Sequence, residues 1–137
     1  MAREIVVTSQ GGDAYDMEIK GHVVRVDQPE RAGGTDTGPS PTDLWVASLG
    51  GCVAYYAGKY LREHDLPTDV TVRTRYKVAL GPTRVSRIEV DVEAPQLPEE
   101  QRPAFDEEIR HCLVHNSLHE PPAVEITTLT EQVATSA

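Results

Sequence analysis

From residue 44 to about residue 63 the chain carries no proline, and its middle, Ala47-Ser48-Leu49-Gly50-Gly51-Cys52-Val53-Ala54, carries no charge. Leu44, Trp45, Ala47, Ser48, Leu49, Cys52, Tyr55, Tyr56 and Tyr60 recur at helical spacing. A helix that is apolar on every side offers no face to water and is expected to be buried. Other elements must therefore surround it. Gly50 and Gly51 each cost about 1 kcal/mol against alanine in a helix. Close packing against the backbone at that point would offset the cost. The start is well marked: Ser40 can cap, Pro41 suits the first helical position, and Asp43 completes a capping-box-like S-x-x-D. Asp65-Leu66-Pro67 ends the helix.

The flanking sequence is mostly strand. Residues 3–9 read as a strand, Gly11-Gly12-Asp13 as a turn, and residues 15–20 and 22–27 as two more extended pieces split by Gly21. This predicts a three-stranded meander. Residues 28–39 are dominated by Gly, Pro, Thr and Asp and predict a loop of about a dozen residues, a length that in a small domain usually means function or disorder. After the helix, Val70, Val72, Thr74, Tyr76, Val78 and Leu80 alternate with Thr71, Arg73, Arg75 and Lys77. Gly81-Pro82-Thr83 turns the chain, and Ile88, Val90 and Val92 then alternate with Arg87, Glu89, Asp91 and Glu93. Period two predicts a half-buried antiparallel pair, basic on one strand's exposed face and acidic on the other's. A helix is expected from about Arg102 with Pro103 in its first turn, then a short helix over residues 113–119. Pro121-Pro122 stops it, and residues 124–130 are expected to form a last strand. The order βββ-α-ββ-αα-β is an α+β fold.

At 137 residues the length fits a single domain, 1–137. The net charge of -9 excludes a nucleic-acid partner, since phosphate binding needs clustered Lys and Arg. It also argues against an anionic membrane surface. No apolar run approaches the roughly 18–20 residues of a membrane span. The start, MAREIVVTSQ, alternates like a strand rather than reading as a signal peptide. A cytoplasmic location is expected. There, a purely structural disulfide between Cys52 and Cys112 would be out of place.

Cys52 by itself reads most simply as a small core residue. It lies about three turns inside its helix, beyond the reach of the helix dipole. An activating cation must come from elsewhere, and Arg31 in the preceding loop is the nearest in sequence. At 100° per residue, Pro41, Trp45, Ser48, Tyr55, Tyr56 and Lys59 share the face of Cys52 to within about 40–60°, while Asp43 falls about 180° away. Trp45, Tyr55 and Tyr56 could form an apolar pocket beside the sulfur, suited to an organic substrate; core packing explains the same stripe. Cys112 ends one helical segment and begins the next, where a helix start and a neighbouring His could lower its pKa. A disulfide with Cys52 requires Cα atoms within about 7 Å. His111, Cys112, His115 and His119 also form H-C-x-x-H-x-x-x-H. Cys112, His115 and His119 are conceivable zinc ligands, although a break near Cys112 would spoil their alignment.

The run from Gly33 through Pro41 to Cys52 resembles the OsmC/Ohr family of osmotically inducible and organic hydroperoxide resistance proteins. It combines a Gly-rich loop, a Pro-x-x-Leu helix start and a small-residue stretch into a Cys eleven positions after the Pro. Cys112-Leu-Val-His-Asn-Ser-Leu118 resembles the family's second Cys segment. The resemblance implies an OsmC-like fold with antiparallel sheets around a long central helix in an intertwined homodimer. It implies a thiol peroxidase that reduces organic hydroperoxides in stress defence, with Cys52 as peroxidatic thiolate, Cys112 as resolving thiol, an external dithiol as reductant, and no metal or organic cofactor. Arg31 lies in the right loop for the family's activating Arg. The family's Glu position is Thr42 here, so Asp36 or Asp43 would have to partner Arg31, and the Pro that often follows the second Cys is Leu113. Two other readings stand beside this one: an OsmC-like binding protein for a small apolar ligand, and a zinc protein.

Overall fold

A computed structural model describes residues 3–131. Its strands are β1 (Val6–Ser9), β2 (Tyr15–Ile19), β3 (His22–Val26), β4 (Thr71–Ala79) and β5 (Arg84–Glu93); its α-helices are α1 (Pro41–Glu63), α2 (Arg102–Ile109) and α3 (Leu113–His119). The fold is mixed α+β with antiparallel sheets, as the sequence predicts. β1, β2 and β3 form the meander and β4 pairs with β5.

The signals at the start of α1 act as read. Ser40 caps it, its side chain accepting from the Asp43 N–H at 3.1 Å, and Pro41 opens the first turn. The inward positions of the β4–β5 ladder pair Val72 with Val92, Thr74 with Val90 and Tyr76 with Ile88, and α1 lies across this face. On the outward face Arg73 pairs with Glu93, and Arg75 reaches Asp91 at 2.8 Å. One core cluster joins Ala57, Tyr60 and Leu61 of α1 to Phe105 of α2. Lys59 of α1 binds Glu108 of α2 at 2.9 Å and Glu63 at 3.0 Å, fixing the two helices. A second cluster gathers Leu49, Val53 and Cys112.

Two expectations are corrected. First, residues 124–130 form no strand. They carry no regular secondary structure, and Val124, Ile126 and Leu129 are exposed. Their composition suits a strand, but a ladder needs a neighbouring edge, and the sheets among the described residues are β1-β2-β3 and β4-β5. Secondly, α1 is not covered on all sides. Gly50 packs closely on the sheet: an added Cβ would lie 3.1 Å from Thr74 Cγ2. Gly51 faces open space, and Ala47, Ser48 and Tyr55 are exposed on the same flank. One two-stranded sheet and two short helices cannot wrap a 23-residue helix.

Candidate functional site

The two thiols come together. Cys52 projects from the middle of α1 and is partly buried; Cys112, fully buried, occupies the N-cap position of α3. Both are unbridged, and Cys52 packs against the cluster that holds Cys112. Leu49, Val53, Tyr56, Ile109 and Val114 pack around them. Burial pushes the Cys112 thiol up from its ordinary pKa, and the neighbouring Cys52 side chain adds to this. The backbone N–H groups of His115 and Val114 act the other way without reversing the shift. The short helix start, expected from sequence to acidify Cys112, is outweighed by desolvation. Cys112 is therefore held as a neutral thiol, and Cys52 is the member of the pair with access to solvent.

The three aromatic residues on the predicted face of Cys52 diverge. Trp45, 44% exposed, lines an open cleft of about 480 Å³ with Leu49, Val53 and Ile109. It also lines a smaller uncharged hollow of about 440 Å³ with Ser48, Leu113 and Pro121. Tyr55 and Tyr56 meet edge to face at 5.1 Å and line neither space. Tyr56 packs into the thiol cluster, while Tyr55 is 57% exposed.

The loop before α1 is built around a residue that sequence reasoning passed over. Asp27 looks like the last residue of a strand, yet its carboxylate is buried. It accepts hydrogen bonds from the Gln28 N–H at 2.7 Å, the Thr35 hydroxyl at 2.9 Å, and Thr37 through both its N–H at 3.0 Å and its hydroxyl at 2.6 Å. The Thr37 and Gln28 bonds hold its carboxyl far below the usual carboxylate range. The turns fit tightly: a Cβ on Gly34 would lie 2.1 Å from the Gln28 carbonyl oxygen, and one on Gly38 2.4 Å from that of Arg25. The available signal was an Asp followed by a Thr-rich, Gly-rich loop, a composition prone to local side-chain hydrogen bonds.

Arg31 sits on a short 3-10 turn (Glu30–Ala32) of this loop and is exposed. Its charge is felt by Asp43. Asp43 is held below its ordinary pKa first by the Tyr76 hydroxyl, which donates to it, then by Ser40, and least by Arg31. Asp43 thus faces β4, on the far side of α1 from Cys52, as the helix arithmetic predicts. Nine positions separate the two, or about 13 Å along the axis. Asp36, the other suggested partner, lies in the loop with φ 54° and donates its N–H to the Gln28 carbonyl at 3.0 Å.

The suggested zinc set does not assemble. α3 begins at Leu113, so His111 lies outside it, and Cys112 is turned inward against Cys52. His115 and His119 do share a face, their Nε2 atoms 3.0 Å apart. Among the described residues no group of three or more His, Cys, Asp or Glu side chains could hold a metal ion. No helix of the described chain is long and apolar enough to cross a membrane.

Comparison with known proteins agrees with this architecture. A family model described as OsmC-like protein matches residues 34–127. Among solved structures, a candidate osmotic-stress-induced and detoxification response protein from Psychrobacter arcticus is similar, with a TM-score of 0.77 at 24% identity, over 85% of this chain and 88% of that one. An OsmC-like protein from Mycoplasma pneumoniae gives 0.71 at 13%, covering 88% and 89%. The organic hydroperoxide resistance protein OhrB of Bacillus subtilis gives 0.62 at 17%, covering 87% and 93%. No curated protein matches by sequence. At these identities the structural likeness speaks for the fold, and the family match spans well over half of the 137 residues. The chain belongs to the OsmC-like protein family.

Proposed function

We propose that this protein is a thiol-dependent peroxidase that reduces organic hydroperoxides in the cytoplasm, through Cys52 and Cys112. The observation that carries the reading is that the two thiols are packed into one apolar cluster, one half-buried and the other wholly buried and held neutral. The Cys52 thiolate attacks the distal oxygen of ROOH. The O–O bond breaks, RO⁻ leaves and takes a proton as ROH, and Cys52 becomes a sulfenic acid. Cys112 gives up its proton and attacks that sulfur. Hydroxide leaves and takes the proton as water, and a disulfide forms. An external dithiol returns both thiols by two exchange steps. The apolar lining around the pair favours an organic over a purely polar peroxide.

The working unit in this reading is a homodimer. The registers of β1, β2 and β3 place Val7, Met17 and Val24 on one side of the meander, with Tyr15 and Val26 beside them. Val26 is buried, but Ile5, Val7 and Tyr15 stay 41–56% exposed. The bare flank of α1 and the exposed apolar side chains of Val124, Ile126 and Leu129 pose the same problem. A second copy would cover all three. Arg31, held near the start of α1, would then act as the thiolate-stabilising cation in the assembled dimer.

The test is consumption of cumene hydroperoxide in the presence of a dithiol. Cys52→Ser is expected to abolish turnover. Cys112→Ser is expected to leave one fast reaction with peroxide and a trapped sulfenic acid, without catalytic cycling. An inactive parent protein, or unchanged activity in Cys52→Ser, would overturn the proposal in favour of a ligand-binding protein.

A further inference from the structure

α3 carries a feature that the thiol chemistry does not use. His115 and His119 stand four positions apart, so their side chains rise from the same helical face. Their ring centroids are 4.6 Å apart, but their Nε2 atoms only 3.0 Å. The rings therefore lean together at their Nε2 edges. Among the described residues neither ring has any other hydrogen-bond partner. Each of the other histidines is placed differently: His64 Nδ1 lies 2.8 Å from the Tyr60 carbonyl, His111 Nε2 lies 4.0 Å from Glu107, and His22 stands in β3.

We propose that His115 and His119 form a two-imidazole chelating seat for one divalent late transition-metal ion, in the open cleft beside α3 and distinct from the thiol pair. With metal–nitrogen bonds of about 2.0–2.1 Å, nitrogens 3.0 Å apart subtend roughly 90–100° at the ion. That is the cis angle of square-planar or octahedral coordination, which Cu(II) and Ni(II) prefer; a tetrahedral Zn(II) needs the rings to open slightly. In the ion-free pair one Nε2–H donates to the other Nε2. Binding needs this proton to move to Nδ1 and the rings to tilt so that both Nε2 lone pairs face the ion. Both residues line the open 480 Å³ cleft, which leaves room for water to complete the coordination shell, with the Ser86 hydroxyl on the same wall. Arg87 and Arg110 also border the cleft. Each is within 3.4 Å of a carboxylate, Glu89 and Glu107 respectively, so their positive charge is largely balanced. The fully buried Cys112 cannot join the set without leaving Cys52.

The experiment uses tag-free protein carrying Cys52→Ser and Cys112→Ser, so that no thiol competes for the ion. Cu(II), Ni(II) and Mn(II) are titrated by calorimetry, and the Cu(II) complex is examined by electron paramagnetic resonance. One ion per chain is expected, with nitrogen hyperfine structure from two imidazoles and affinities in the order Cu(II), Ni(II), Mn(II). His115→Ala and His119→Ala should each weaken Cu(II) binding by about tenfold or more, because each leaves one arm of the chelate. His111→Ala should leave it unchanged. Circular dichroism checks that each variant keeps its fold, as expected for side chains that line an open cleft. Undiminished binding in either pair variant, or no binding by the thiol-free protein, would overturn the proposal.

Discussion

The two sheets of this molecule have similar inward patterns and different fates. β4 and β5 alternate apolar and charged residues, and α1 lies over their apolar face. β1, β2 and β3 sort their side chains less cleanly, with Val7, Met17 and Val24 on one side and Asp16, Glu18 and Arg25 together with Val6 and Val23 on the other. Yet among the described residues no helix packs extensively on that apolar side. Strand patterning thus says which face wants burial and is silent on what will bury it. In the body of the molecule the chain supplies the cover itself. In the meander it supplies a loop anchored at Asp27 and little more.

The contrast can be broken most sharply in the body. Leu61 is 0% exposed, between α1, α2 and the sheet. Leu61→Ala should cost about 2–5 kcal/mol in chemical denaturation; a smaller loss would mean that the core beneath α1 is as loosely covered as the meander.

The Asp27 anchor of the loop beside the meander comes next. Its carboxyl is depressed in the folded state. Its contribution is therefore present above the ordinary carboxylate pKa and lost as pH falls through the lower folded value. At pH 7 Asp27→Asn should melt clearly below the parent. The gap should close as pH falls below about 4, where the unfolded-state carboxyl protonates. A gap that does not depend on pH would remove the charge from the account.

The smallest expected effect on stability tests the meander. Val7 is 52% exposed, so Val7→Lys should change the stability of a single chain by no more than about 0.5 kcal/mol. If a second copy covers this face, the same change should halve the apparent mass in sedimentation. An unchanged dimer would place the interface elsewhere.

Much of this was legible in the chain. Ser40, Pro41 and Asp43 marked the start of α1 because capping is a local affair, settled within one turn. The β4–β5 register followed from alternation because a slip by one residue would turn every apolar side chain to water. The spacing of the two Cys segments carried the family resemblance. Asp27 was not legible, because its four hydrogen bonds come from residues up to ten positions away, in a loop whose path no periodicity encodes. Residues 124–130 misled, because composition reports suitability for a sheet and says nothing of a neighbouring edge.

By itself, then, the sequence determined the order of elements, the face each would bury, and the two thiols at fixed places on α1 and before α3. Those are consequences of short-range backbone and side-chain preferences. Only the tertiary structure decided that Cys52 and Cys112 touch, that burial rather than a helix start governs Cys112, and that Asp43 answers to Tyr76 across the sheet. Each of these depends on desolvation and contact between residues at least 33 positions apart, which only packing brings within reach.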